Sequence, residues 1–296
     1  AVLMALDGLA LVMSRVALLD IFLMFFILLA FYFILTNNLW LSGIAIGLAG
    51  ASKWSGFFVI PLIIALTINW KNFQLSILLR RLVQFILTPL GVYFITWSGW
   101  ILNSNGWGRQ SGGNLFSSLW KYHIEILGFH RDLAEKHAYN ANPWSWLVLG
   151  RPTSFYYESP KDCGAASCAQ EILAIGTPVL WWAGVFAIAV TAGLFIVSKD
   201  RIAAFILAGI AGTYLPWFLI QGRTMFYFYA ISILPFLILA LIYTFNWALK
   251  YKDYRKYIGV FIIVVAINFI YFLPIFLGIQ IPYADWLDRM WLPSWI

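Results

Sequence analysis

Charge is the scarcest commodity in this sequence. Only 10% of its 296 residues are Asp, Glu, Lys or Arg, against 62% hydrophobic, and the mean hydropathy is +0.84. Soluble domains carry about a quarter charged and about half apolar residues, so a water-solvated fold is excluded and the solvent is lipid. Histidine occurs three times and cysteine twice, and no divalent metal or other cofactor is indicated. There is no glycine pattern of a P-loop or dinucleotide site, no HExxH and no GxSxG. No internal repeat is visible, which weakens a transporter built from two similar halves. The net charge of +7 does not point to nucleic acid, because basic loops beside membrane helices set orientation. The chain opens Ala1-Val2-Leu3 inside an apolar run, without an initiator Met or a signal pattern. It is expected to be a fragment with residues missing upstream.

What is present is a series of apolar runs broken by one long polar segment, residues 103–176, which holds all three histidines and both cysteines. The expected spans are the tail of one helix at 1–14, then 20–35, two short helices within 41–68, 82–102, 177–197, 203–222, 231–249 and 258–281. As one helix, 41–68 would be about 42 Å long, beyond a hydrocarbon core of about 30 Å. Its centre, Gly50-Ala51-Ser52-Lys53-Trp54-Ser55-Gly56, suits a turn better. The fold class is therefore a polytopic all-α membrane protein with about nine spans. It divides into helices with turns at 15–20 and 50–56 (residues 1–102), a loop with interfacial helix (103–176), and helices with a C-terminal tail (177–296).

Nine of the 19 Lys and Arg lie in three short loops: Lys71, Arg80 and Arg81; Lys199 and Arg201; Lys250, Lys252, Arg255 and Lys256. Two spans separate each loop from the next, so all three share one side, which the positive-inside rule makes cytoplasmic. The 103–176 loop, the Arg223 turn, Lys53 and the Arg15–Asp20 turn then converge on the external face. Arg15 and Asp20, at the edges of apolar runs, are site candidates because such charge is costly unless paired or wetted. Arg223 sits against the charge bias, and its planar fork of donors suits a lipid phosphate at headgroup depth. Residues 122–133 have the rhythm of a helix lying in the interface. His123, His130 and His137 recur every seven residues, about 10.5 Å apart along a helix, too far to share a metal. Trp144, Trp146, Arg151, Tyr157 and Glu158 suit either an interfacial aromatic belt or a binding wall. If the loop is external, a disulfide-closed turn suits Cys163 and Cys168 better than a metal site, which needs further ligands.

Several stretches in order resemble protein O-mannosyltransferases of the actinobacterial type: Leu6-Asp7-Gly8, Ser14-Arg15-Val16-Ala17-Leu18-Leu19-Asp20, Ser52-Lys53-Trp54-Ser55-Gly56, Pro143-Trp144-Ser145-Trp146, Gly150-Arg151-Pro152, Phe155-Tyr156-Tyr157-Glu158 and Arg223-Thr224-Met225-Phe226-Tyr227-Phe228-Tyr229. Cys163 and Cys168 precede the next span as in that group. The resemblance implies a GT-C helical bundle that transfers mannose, with inversion, from a polyprenyl (dolichyl-type) phosphate mannose to Ser or Thr hydroxyls of secreted proteins. It places the enzyme in the plasma membrane with an extracytoplasmic active face, among lipid, acceptor polypeptides and the secretion translocon. Arg223 and Lys53 are then expected to bind the donor phosphate, Asp7, Arg15 and Asp20 to form a polar site turn, and Trp144, Trp146, Arg151, Tyr157, Glu158 and Tyr229 to wall the donor and acceptor. The family's Asp-Glu pair, whose Asp is taken as the base, has no counterpart here, so the base is expected upstream of Ala1. The competing readings are another GT-C transferase acting on lipid or wall glycan, and a polar-solute transporter. A transporter would place its ionisable residues inside spans, whereas most charges here lie at span ends.

Overall fold

The structure, a computed structural model, describes residues 1–296. The principal helices are α1 (Gly8–Arg15), α2 (Asp20–Leu35), α3 (Leu39–Ser52), α4 (Ile60–Thr67), α5 (Leu75–Thr96), α6 (Leu115–Asp132), α7 (Pro178–Ser198), α8 (Arg201–Tyr214), α9 (Leu234–Ala248) and α10 (Arg255–Leu277). It is a helical polytopic membrane protein. Outward faces carry apolar side chains: on α10, Val260, Ile263, Val264, Ile267 and Ile270 are exposed while Val265, Phe272, Ile275 and Phe276 are buried. That inversion of the soluble pattern is what lipid contact requires, since lipid does not penalise an outward Ile.

Four helices are long and apolar enough to cross a membrane, five if the α1–α2 pair is counted as one span. Three further apolar segments, Leu39–Ser52, Trp54–Thr67 and Leu234–Ala248, are shorter than these, and the first run breaks at Leu6–Asp7. The pair α1 and α2 is bent by 116° across residues 16–19, giving the turn expected at 15–20. The chain also reverses at Lys53. A 3-10 turn (Trp54–Val59) doubles back on α3 so closely that a Cβ on Gly56 would lie 2.4 Å from the Ala49 carbonyl carbon. Only glycine permits that approach. The helix expected at 82–102 instead runs from Leu75 to Thr96, so Arg80 and Arg81 lie on its first turns rather than in a loop.

A further departure from the all-α expectation is a small antiparallel sheet of β1 (Thr153–Glu158), β2 (Cys168–Ala174) and β3 (Ile281–Pro282), in that order. Thr153 pairs with Ala174 and Glu158 with Gln170, with a bulge between Ser154 and Tyr156; Ala169 pairs with Ile281. Aromatic and β-branched residues in 153–157 favour a strand, yet the same residues also suit a membrane-surface belt. The Cys163–Cys168 disulfide closes the β1–β2 connection. The sheet ties the polar segment to the chain's C-terminal end, where Trp286 Nε1 donates to Glu171 Oε2 at 2.6 Å.

Candidate active site

A cavity of about 1390 Å³ opens between the Leu18–Asp20 turn, the Gly50–Ser55 reversal, α5, the α6 face bearing Leu127 and His130, and the Leu219–Arg223 turn with Tyr229. Most of its wall is apolar and aromatic, including Phe26, Phe58, Trp97 and Trp217. The charges gather at one place. Lys53 Nζ donates to Asp20 Oδ1 at 2.8 Å and lies 3.5 Å from the centre of the Tyr229 ring. Asp20, at the first turn of α2, is the one carboxylate on the wall. Burying either partner alone would leave an uncompensated charge, the costly case.

Arg223 has no such partner. It is half-buried, no carboxylate lies within ion-pair distance, and its Nε is buried with no acceptor; Ser55 Oγ, also on the wall, is likewise buried and unbonded. Buried polar atoms are nearly always satisfied, and a cationic donor beside an open cavity calls for an anion. His130 faces the same space. Partial burial pushes its imidazole below the ordinary histidine range, and the nearby charges of Arg223 and Lys53 push it further.

Helix α6 is fixed over the cavity by a directed chain of hydrogen bonds. The Leu119 carbonyl only accepts, so His123 Nδ1 carries the proton there at 2.8 Å and Nε2 accepts from the Tyr93 hydroxyl at 2.8 Å. Trp54 Nε1 in turn donates to the Tyr93 oxygen at 3.0 Å. The residue after Lys53 is thereby joined to α5 and α6.

The structure brings together Lys53, Asp20, Arg223 and Tyr229, and separates the other candidates from them. Asp7 is fully buried as the N-cap of α1, accepting from Ala10 N at 2.9 Å, Thr177 N at 3.1 Å and Trp181 Nε1 at 2.8 Å; these donors leave it no open face. Arg15 points to the end of α10, where Nη1 donates to the Phe276 carbonyl at 3.3 Å. Trp146 is a core side chain bonded to the Ala141 carbonyl at 2.9 Å, and it reaches the site only through its ring contacts with Trp217 and Tyr229. Arg151 ties the Ala138 carbonyl to those of Ser294 and Ile296. Trp144 is exposed, Tyr157 packs on Trp286, and Glu158 is exposed at the end of β1. None of these seven lines the cavity. Tyr93, Trp217 and His130 are additions; the histidine spacing was visible, but not which of the three would face the cavity. His137 packs edge-on against Phe226 elsewhere, and no group of three His, Cys, Asp or Glu converges on a point.

Residues 115–295 match the family described as the C-terminal four TMM region of protein-O-mannosyltransferase, and residues 1–102 match the family described as dolichyl-phosphate-mannose-protein mannosyltransferase. The polyprenol-phosphate-mannose–protein mannosyltransferase of Mycobacterium tuberculosis is 26% identical across 99% of this chain and 70% of its own length. The Mycolicibacterium smegmatis protein of that name is 27% identical across 98% of this chain and 70% of its own. Among solved structures, the S. cerevisiae protein O-mannosyltransferase Pmt1-Pmt2 complex bound to the sugar donor is similar in fold, with a TM-score of 0.50 at 24% identity. That match covers 62% of this chain but only 27% of the yeast chain.

Proposed function

The chain belongs to the protein O-mannosyltransferase family, and from that premise we propose that its large cavity binds a polyprenyl phosphate mannose and presents the sugar to a Ser or Thr hydroxyl of a polypeptide. The observation that carries this reading is Arg223, with no carboxylate in ion-pair distance and a buried Nε lacking an acceptor, beside the Lys53–Asp20 pair. A polyprenyl tail asks for the apolar wall, and its phosphate asks for the guanidinium fork. As the sugar departs, negative charge grows on the phosphate, and fixed donors aimed at developing charge are usually the largest catalytic contribution. Arg223 supplies that donor, Asp20 holds Lys53 in place beside it, and the Tyr229 and Trp217 rings exclude water. His130 adds a hydrogen-bonding group on the same wall. Family likeness supports inversion, an extracytoplasmic active face on the plasma membrane, and secreted acceptors emerging from the translocon. In this reading the phosphate charge is met by side chains, with no metal ion assigned.

Arg223→Ala, in the protein expressed from its complete open reading frame, is expected to lower mannosyl transfer to an acceptor peptide by roughly a hundredfold or more, with normal membrane levels. Arg223→Lys keeps the charge but loses the fork and is expected to retain part of the activity. Transfer of labelled mannose by membranes holding each variant is the measurement. Wild-type rates in Arg223→Ala would remove the phosphate role.

A further inference from the structure

A second, smaller pocket of about 280 Å³ lies at the other end of α3 from Lys53, between residues 37–41 and the α5 side chains Arg80, Arg81 and Gln84. Its construction follows from two local irregularities. Asn37 adopts a left-handed φ of 58°, which asparagine tolerates better than most residues, and this turns the chain sharply from α2 into α3. The Asn38 amide donates back to Thr36, so α3 begins without a side-chain cap, and its first residues, Leu39, Trp40 and Leu41, line the pocket. On the other wall, α5 contains a π-turn at Val83–Leu87, a feature often found at functional sites. It seats Gln84 under α3, where a Cβ on Gly43 would lie 2.0 Å from the Gln84 carbonyl oxygen.

The pocket is a collection of donors with no counter-charge. Arg81 Nη1 donates to Gln84 Oε1 at 2.7 Å, and its Nε to the Thr67 carbonyl at 3.4 Å. Gln84 is only 2% exposed, and its side-chain NH2 has no hydrogen-bond partner. Arg80 makes no ion pair or hydrogen bond; the ion pairs of the structure involve Lys53, Arg131 and Arg255. No Asp or Glu occurs between Asp20 and Glu125. Exposed Trp40 and Leu41 border the opening.

We propose that this pocket is a phosphate-binding site, for the phosphate of an anionic lipid headgroup or for free phosphate, distinct from the donor cavity. Two guanidinium groups, an amide NH2 and uncapped helix N–H groups match the several acceptor oxygens of one phosphate. The volume suits a single phosphate with a small substituent, and the apolar rim suits acyl chains on the lipid side. A zwitterionic headgroup would bring its own cation against Arg80 and Arg81, so an anionic lipid is preferred over phosphatidylcholine.

The test uses the protein from its complete open reading frame, purified in neutral detergent, with lipid retention read by native mass spectrometry and thermal midpoint measured alongside. The probes are phosphatidylglycerol, phosphatidylcholine and inorganic phosphate in separate arms. Phosphatidylglycerol retention is expected to exceed that of phosphatidylcholine and to fall at least fivefold in Arg80→Gln/Arg81→Gln, while the exposed-loop control Lys252→Gln leaves it unchanged. If inorganic phosphate alone raises the midpoint and the same double variant abolishes that effect, the site takes free phosphate. Arg80→Gln removes a side chain with no protein partner, so it folds even where the double variant does not, and it is expected to lose at least twofold in retention. Lipid retention equal to wild type in both arginine variants together with a phosphate-dependent midpoint shift that they leave intact or that is absent, or an equal loss in Lys252→Gln, would overturn the site.

Discussion

Among single residues, the same carboxylate chemistry serves two ends according to what surrounds it. Asp20 holds one ammonium at the rim of an open cavity, whereas Glu171 on β2 is buried against the Trp286 indole. Burial raises the Glu171 carboxyl above its ordinary value, the Trp286 bond opposing this in part. A raised folded-state value means that the native protein holds a proton the unfolded chain has released. Its stabilising contribution is therefore complete below the ordinary carboxyl range and is lost as pH rises through the elevated folded value. Glu171→Gln keeps an acceptor for Trp286 and does not titrate. The gap in thermal midpoint between this variant and wild type is expected to shift in the variant's favour from pH 4.5 to 8; a gap that stays constant, or moves the other way, would show that Glu171 titrates normally. Residues of this kind mark where sequence reading succeeds and stops. Lys53, Asp20 and Arg223 were legible because a charge in an apolar run must find a partner or a purpose. Asp7 looked equivalent by that criterion, and the three donors that consume it come from α1 and α7, 170 residues apart for Thr177, a pairing no local pattern reveals. Arg151 and Trp146 were misplaced for the same reason: composition fixes membrane depth but not the direction a side chain faces.

At the level of elements, the reversal at Lys53 decides where the site is, and it rests on glycine. A Cβ at Gly56 would meet backbone atoms of Ala49 and Gly50 at 2.4–2.7 Å, with no flexible side chain to yield. Gly56→Ala is expected to destabilise the protein by about 1–3 kcal/mol or more and to weaken donor binding by moving Lys53. Gly91→Ala, on α5 with nothing within 4 Å of the new methyl, is expected to be neutral or to stabilise by up to about 1 kcal/mol. Thermal midpoints of the two variants in detergent give the comparison, and equal midpoints would mean that the reversal does not depend on close backbone contact. This turn was legible because 28 apolar residues are too long for one span and a polar heptapeptide sits at their centre. The sheet was not legible, since 153–157 carries the same aromatics as a membrane belt. Nor was the π-turn, whose residues Val83–Leu87 differ in no compositional way from an α-helix.

For the molecule as a whole, helix length sets depth. A 14-residue α3 rises about 21 Å, short of a hydrocarbon core of about 30 Å, so a helix that begins at one surface near Asn38 ends with Lys53 still inside the bilayer. With α3 starting at the basic surface, the cavity would lie below the far one, at a depth where Asp20 holds Lys53 and the charge of Arg223 is left for a ligand. A lipid phosphate can enter such a site from the side without leaving the membrane, with the polar segment roofing it. This geometry requires the cavity mouth and the β1–β2 connection to share one membrane face, and Arg80 to lie on the other. Single cysteines at Leu19, Lys161 and Lys71, all exposed, test it in a background with Cys163 and Cys168 replaced by serine. A membrane-impermeant maleimide added to intact cells is expected to label positions 19 and 161 and to reach position 71 only after permeabilisation. Labelling of position 19 together with 71 would place the Leu18–Asp20 turn on the basic side. The cavity would then face the cytoplasm, and an acceptor polypeptide on the outer face could not reach it.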